Sequence, residues 1–142
     1  MKATPTHFIV VDDDPINNML CKFSIKKYCS GAVIQTFESP EEALGMIGST
    51  YSGTSAGLPV VLFLDINMPS MSGWDFLKHF GEFSPSVHSQ FQIYILSSSV
   101  DRRDKERAEN CEYVSGFLSK PLVAETLRRI FLDEEADRDS NL

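Results

Sequence analysis

Cysteine is scarce in this chain, and no two cysteines form a CxxC pair: Cys21, Cys29 and Cys111 are odd in number and widely spaced. That pattern argues against a disulfide framework or a zinc site and fits a reducing compartment, the cytoplasm. Long hydrophobic runs are missing as well. The first apolar run, Phe8 to Val11, is too short for a signal peptide or a spanning helix, and carboxylates follow it at once. A basic excess is also absent. Against 20 Asp and Glu stand 13 Lys and Arg, a net charge of -7 that repels phosphate backbones and anionic lipid and so argues against nucleic-acid or membrane partners. No internal repeat is visible.

What is present, 142 residues at 42% hydrophobic, suits one globular domain with a real core. Short apolar runs alternate with longer segments of helical spacing. Phe8 to Val11, Val33 to Phe37, Val60 to Leu64, Gln92 to Leu96 and Gly116 to Ser119 are expected strands, rich in β-branched or aromatic residues. Asp14-Pro15 starts a helix over Ile16 to Tyr28, with Asp as cap and Pro at the first helical position, and Ile16, Met19, Leu20 and Phe23 make one apolar face. Ser39-Pro40-Glu41-Glu42 reads as a capping box. Gly73 to Phe80, Asp101 to Asn110 and Leu122 to Leu132 complete five helices, the last sending Leu127, Ile130 and Phe131 toward a core. Gly48 to Pro59 and Gly81 to Ser89 read as long connections, and 133–142 as an acidic tail beyond a domain spanning 1–132.

Strand and helix alternate, and the strands are continuously rather than alternately apolar, which implies a parallel sheet covered on both faces by helices in a doubly wound α/β fold. Ligands in such folds bind at the carboxyl ends of the strands, where strand order reverses. The expected strands deliver a chemical set to that rim: Asp12, Asp13 and Asp14 from the first, Asp65 from the third, Ser97 from the fourth and Lys120 from the fifth. Crowded carboxylates repel unless a cation sits among them, and magnesium, which prefers carboxylate, water and phosphate oxygens, is the natural one. Lys120 and the Ser97 hydroxyl would then face a phosphoryl group. Asp14 has the plainer reading of a helix cap. Ser97 lies in a run of three serines that leaves its register open by one.

These residues resemble the receiver domain of bacterial two-component response regulators, of the stand-alone, single-domain kind. Four segments carry the likeness, in the family's order: "IVVDDDP", "LFLDINMPSMSG", "IYILSSS" and "GFLSKP". The resemblance implies a flavodoxin-like (βα)5 domain with strand order 2-1-3-4-5. It implies phosphorylation of Asp65 by a histidine kinase or histidine phosphotransfer protein, with Mg2+ held by Asp12, Asp13, Asp65 and the Asn67 backbone carbonyl. Ser97 and Phe117 would form the switch pair, and an unknown downstream protein would read the result. The residues themselves leave Asn67 open between ligand and turn stabiliser, and Phe117 between switch and plain core. Two rivals stand beside this reading. A haloacid-dehalogenase-like phosphohydrolase would show Asp-x-Asp, where this chain has Asp65-Ile66-Asn67, and a non-phosphorylated interaction module would lack an acid or the lysine.

Overall fold

The computed structural model describes residues 5–53, 59–99 and 101–131. Five strands, β1 (His7–Val11), β2 (Val33–Phe37), β3 (Val60–Leu64), β4 (Phe91–Ser97) and β5 (Val114–Ser119), form one parallel sheet in the order β2-β1-β3-β4-β5. The five expected strands match these closely. In β1, β3 and the end of β4 almost every side chain is buried on both faces, which is why those runs lack polar alternation.

Alternate strand residues feed two cores. On one face Ile9, Val11, Leu62, Leu64, Ile93 and Ile95 pack under α2 (Pro40–Tyr51), α3 (Gly73–Phe80) and α5 (Arg102–Glu109). On the other, Phe8, Val10, Val61, Phe63 and Leu96 pack under α1 (Pro15–Tyr28) and α6 (residues 124–131). Leu127 and Phe131 reach this second core as expected. The acidic tail expected over 133–142 lies outside the described residues, as does the middle of the 48–59 connection.

Three local expectations change. α2 runs through Tyr51 rather than stopping at Gly48, because Tyr51 stacks edge-on against Phe91 with ring centroids 4.9 Å apart. Tertiary contact there overrides the poor helix propensity of Gly48, Ser49 and Thr50. The connection 81–89 holds a short helix, α4 (Pro85–His88), seated by the fully buried Val87 and by a 2.8 Å hydrogen bond between His88 Nε2 and the Phe80 carbonyl. The capping box at Ser39 is half realised. Ser39 Oγ accepts the Glu42 N–H at 3.2 Å, whereas the carboxylate that receives its hydroxyl is that of Glu41, at 3.1 Å.

The apolar face of α1 is turned outward. Ile16, Met19, Leu20 and Phe23 are 62, 63, 49 and 69% exposed, while Asn17, Asn18, Cys21 and Ile25 face the protein.

Candidate functional site

Main-chain hydrogen bonds pin the carboxyl ends of the strands to one another before any side chain is considered. The Asp12 N–H donates to Phe37 O at 3.0 Å, Asp65 N–H to Val11 O at 3.0 Å, and Lys120 N–H to Ser97 O at 2.8 Å. Each residue of interest thus starts from a backbone position fixed by the neighbouring strand. β1 and β3 flank the point where strand order reverses, the place where open α/β sheets bind ligands.

Asp12, Asp13 and Asp65 come together there, each offering a carboxylate oxygen within 4.8 Å of the others. Asp12 and Asp65 are buried and Asp13 is exposed at the mouth. Lys120 Nζ lies 2.8 Å from Asp12 Oδ2 and 3.7 Å from Asp65 Oδ1, so it leans toward Asp12. The Lys120–Pro121 peptide is cis. Three oxygen donors from three carboxylates are the hard donor set that magnesium prefers, so the residues present fit a divalent cation of that kind.

Electrostatics separate the two central groups. Burial pushes the Asp65 carboxyl up to about 6, with the Asp12 charge adding to the rise; the Asn67 N–H, which donates to Asp65 Oδ1 at 3.1 Å, and the Lys120 charge pull the other way. Burial alone would lower the Lys120 ammonium. Its hydrogen bond to Asp12 and the charges of Asp12 and Asp65 outweigh that and hold it above its ordinary value.

The segment after Asp65 is shaped by packing. Met68 is buried and Met71 packs against the same core. Gly73 donates its N–H to Ile66 O at 3.1 Å, and a β-carbon on it would lie 2.7 Å from Ile66 Cα and 2.8 Å from Asp65 O. Only glycine lets α3 start this close to the acid. Trp74 follows directly, half-buried, with the Arg107 guanidinium of α5 4.6 Å above its ring.

The other sequence candidates sit around this centre. Of the three serines, Ser97 is the buried one; its hydroxyl donates to Ser99 O at 3.0 Å and accepts the Ser99 N–H at 3.3 Å. Asn67 is exposed. Asp14 caps α1, its Oδ1 accepting the Ile16 N–H at 3.0 Å. Phe117 is half-buried beside a cavity of about 350 Å³ that it lines with Lys105, Ala108 and Glu109.

Sequence reasoning missed two residues. Asn17 Nδ2 donates to Asp12 Oδ2 at 2.6 Å, and Asn18 Nδ2 donates to the Asp12 carbonyl at 2.8 Å. Both side chains are buried. The available signal was an Asn-Asn pair inside a helix, where asparagine is a poor helix former and needs another reason to be present.

Comparison with known proteins agrees with this geometry. Residues 8–131 match the response regulator receiver domain family. A two-component response regulator from Cytophaga hutchinsonii superposes with a TM-score of 0.81 at 28% identity, covering 92% of this chain and 97% of that one. A response regulator receiver protein from Dyadobacter fermentans gives 0.78 at 27% identity, over 87% and 93% of the two chains. Among curated proteins, the rice two-component response regulator ORR1 (Oryza sativa subsp. japonica) is 24% identical over 88% of this chain, and Histidine kinase 2 of Arabidopsis thaliana 26% identical over 84%. This chain spans 53% of the length of the former and 11% of the latter. With Asp12, Asp13 and Asp65 clustered in an acidic pocket at the sheet rim, the chain belongs to the receiver domain family of two-component response regulators, which are phosphoacceptor signalling domains.

Proposed function

We propose that Asp65 is the phosphoacceptor and that Asp12, Asp13, Asp65 and the Asn67 backbone carbonyl hold Mg2+ beside it. The observation that carries this reading is the convergence of three strand-end carboxylates and the Lys120 ammonium at the strand-order reversal. Ionised above about pH 6, Asp65 attacks a phosphohistidine phosphorus without a general base. The O–P bond forms as the P–N bond breaks, and the imidazole leaves with the electron pair and takes a proton. Phosphoryl transfer through a loose transition state needs positioning and charge neutralisation, and Lys120 supplies part of the latter. Magnesium, when bound, supplies the remaining neutralisation and a template for the phosphoryl oxygens. In this sense the chain assists its own phosphorylation and its later loss of phosphate to water.

The switch we assign to Ser97 and Phe117. The Ser97 hydroxyl would leave the Ser99 carbonyl for a phosphoryl oxygen, and Phe117 would repack toward the interior from beside its cavity. Two hydrogen bonds to a charged group supply about 1.5–3 kcal/mol each. Inverting a population from 1:99 to 99:1 takes about 5.5 kcal/mol, near the top of the range of about 3–6 kcal/mol that two such bonds span, so the switch is substantial and complete inversion needs both bonds at full strength.

The phosphodonor, a histidine kinase or histidine phosphotransfer protein, we place on the outward face of α1. Ile16, Met19, Leu20 and Phe23 form an exposed apolar stripe on the helix that begins at the pocket rim, the kind of surface that marks a protein contact. Ser24 Oγ, which donates to the Leu122 carbonyl at 2.7 Å, ties this helix to the segment that follows Lys120, where Val123 adds 44% exposed apolar surface. A cytoplasmic site of action is part of the same proposal; among the described residues no helix is long and apolar enough to cross a membrane. We take 1–132 as the receiver unit and 133–142 as a tail outside it.

The test compares donors. With magnesium, the wild type takes up one phosphate from either a phosphohistidine protein or acetyl phosphate. Phe23→Asp slows the first transfer at least about tenfold, the loss of one apolar anchor, and leaves the second unchanged. Uptake from neither donor would remove the phosphoacceptor reading, and equal slowing with both would remove the docking face.

A further inference from the structure

Asp12 accepts hydrogen bonds at both carboxylate oxygens and at its carbonyl. Its Oδ1 accepts the Asp14 N–H at 2.9 Å. Its Oδ2 accepts both the Asn17 amide at 2.6 Å and the Lys120 ammonium at 2.8 Å. Its carbonyl accepts the Asn18 amide at 2.8 Å. Of these, only the bond from Asn17 is both buried and supplied to the carboxylate by an uncharged side chain. Lys120 is shared with Asp65, and the Asp14 N–H fixes one oxygen alone. Oδ2 is met by two side chains, and the amide of Asn17, on a short buried stem, is a stiffer support than the ammonium of Lys120 on its long flexible one.

The geometry points to Asn17 as a positioning residue that locks the Asp12 carboxylate in the orientation facing Asp13 and Asp65, so that the divalent-cation site is already formed before the ion arrives. The inference rests on the magnesium site proposed above and names a residue that acts on it from outside. Two features of Asn17 fit this role and no other within the fold. It occupies a buried, core-facing position of α1 where an apolar residue would pack better, between the apolar contacts of Cys21 and Ile25 and the acid cluster. The same Nδ2 also donates to Cys21 Sγ at 3.6 Å, so both hydrogens of the amide nitrogen are placed and the side chain is held against rotation. Partners of this type, one step removed from the ion, orient the ligating atoms and commonly change metal affinity by about 10- to 100-fold when removed.

The role also relieves a competition. With Asn17 filling part of Asp12 Oδ2, that oxygen binds Lys120 less exclusively, and the ammonium remains available to Asp65 3.7 Å away and to the phosphoryl group formed there. Without the amide, Asp12 Oδ2 keeps the Lys120 ammonium 2.8 Å away as its side-chain donor and holds it more strongly.

Two measurements test this. Magnesium affinity is read from the Trp74 fluorescence titration, and metal-free stability from urea unfolding in chelator. Asn17→Leu, close in volume and without a donor, and Asn17→Ser, whose hydroxyl is one bond too short to reach Asp12, are expected to weaken magnesium binding about tenfold or more. Asn17→Gln, which keeps the amide on a longer stem, is expected to recover part of it. The urea midpoint of at least one donor-free variant stays near that of the wild type, since Asp12 keeps Lys120 and the Asp14 N–H. Magnesium affinity within twofold of wild type in a folded donor-free variant would overturn the inference and leave the phosphoacceptor reading standing. So would a loss of affinity that follows the loss of stability variant by variant, Gln included. Absence of magnesium binding by the wild type would overturn both.

Discussion

Replacing Lys120 by methionine is expected to shift magnesium affinity and phosphorylation rate in opposite directions. Lys120 is the cation that stands between Asp12 and Asp65, at 2.8 and 3.7 Å. Removing it leaves two buried carboxylates facing each other, and breaking a buried pair by deleting one partner is destabilising by about 3–5 kcal/mol. The metal-free variant therefore unfolds at markedly lower urea. The same vacancy strengthens the field felt by a divalent ion, so magnesium binds more tightly than to the wild type and restores much of the lost stability. Phosphorylation moves the other way. Deleting one charged donor from developing phosphoryl charge costs about 10²–10³-fold in rate. Isothermal titration with magnesium and a time course with acetyl phosphate report the two effects. Weaker magnesium binding in Lys120→Met, or an unchanged rate of phosphorylation, would mean that the ammonium does not serve the pocket.

Asp65→Asn makes the metal-free protein more stable at pH 8, an advantage that shrinks as pH falls from about 6 toward 4. Burial raises the Asp65 carboxyl to about 6 from an ordinary 3.8. In the folded protein the group holds its proton to a higher pH than in the unfolded chain. Between about 3.8 and 6 the unfolded chain ionises while the folded group keeps its proton, so the wild type loses stability across that window; below it wild type and variant resemble one another. Above about 6 the fold carries the charge in a buried site beside Asp12, and the loss is complete. A shift of this size corresponds to about 3 kcal/mol as an upper limit, with the opposing pull of the Asn67 N–H and Lys120 already contained in it, and solvent screening at the pocket reduces it. We expect the variant to exceed the wild type by about 1–2 kcal/mol at pH 8, measured by urea unfolding in chelator. A variant less stable than the wild type at pH 8 would show that the Asp65 charge is well accommodated. An acid retained at a stability cost in the middle of a fold is a mark of a functional site.

The main features of the site could be read in the sequence because the chemistry sits at strand ends. A continuous apolar run such as Val60 to Leu64 has one physical explanation, burial on both faces, and the first charge after it must then lie on the sheet rim. Asp12, Asp65 and Lys120 were reached in this way, and the strand order placed them together. Helix faces were harder. The stripe Ile16, Met19, Leu20 and Phe23 has the spacing of a core face, yet it points to solvent, since periodicity identifies a face without saying which way it turns. The two asparagines that face inward beside Cys21 and Ile25, Asn17 and Asn18, were invisible because polar side chains on a helix read as surface. α4 was missed because its four residues make a single turn, held by the burial of Val87 and the His88 to Phe80 contact rather than by any local pattern.

The claim on which the account turns is that a phosphoryl group comes to rest on Asp65 inside a metal-charged pocket. Trp74 lies next to Gly73, whose α-carbon packs directly on the Asp65–Ile66 backbone, and so reports on that pocket. Titration of its fluorescence with magnesium and then with beryllofluoride, a mimic of the bound phosphoryl group, in the wild type and in Asp65→Asn, tests the claim most directly. We predict a saturable magnesium response in the wild type, a further change on adding beryllofluoride, and no beryllofluoride response in the variant. A wild type silent to magnesium, or a variant that answers beryllofluoride as the wild type does, would contradict the account.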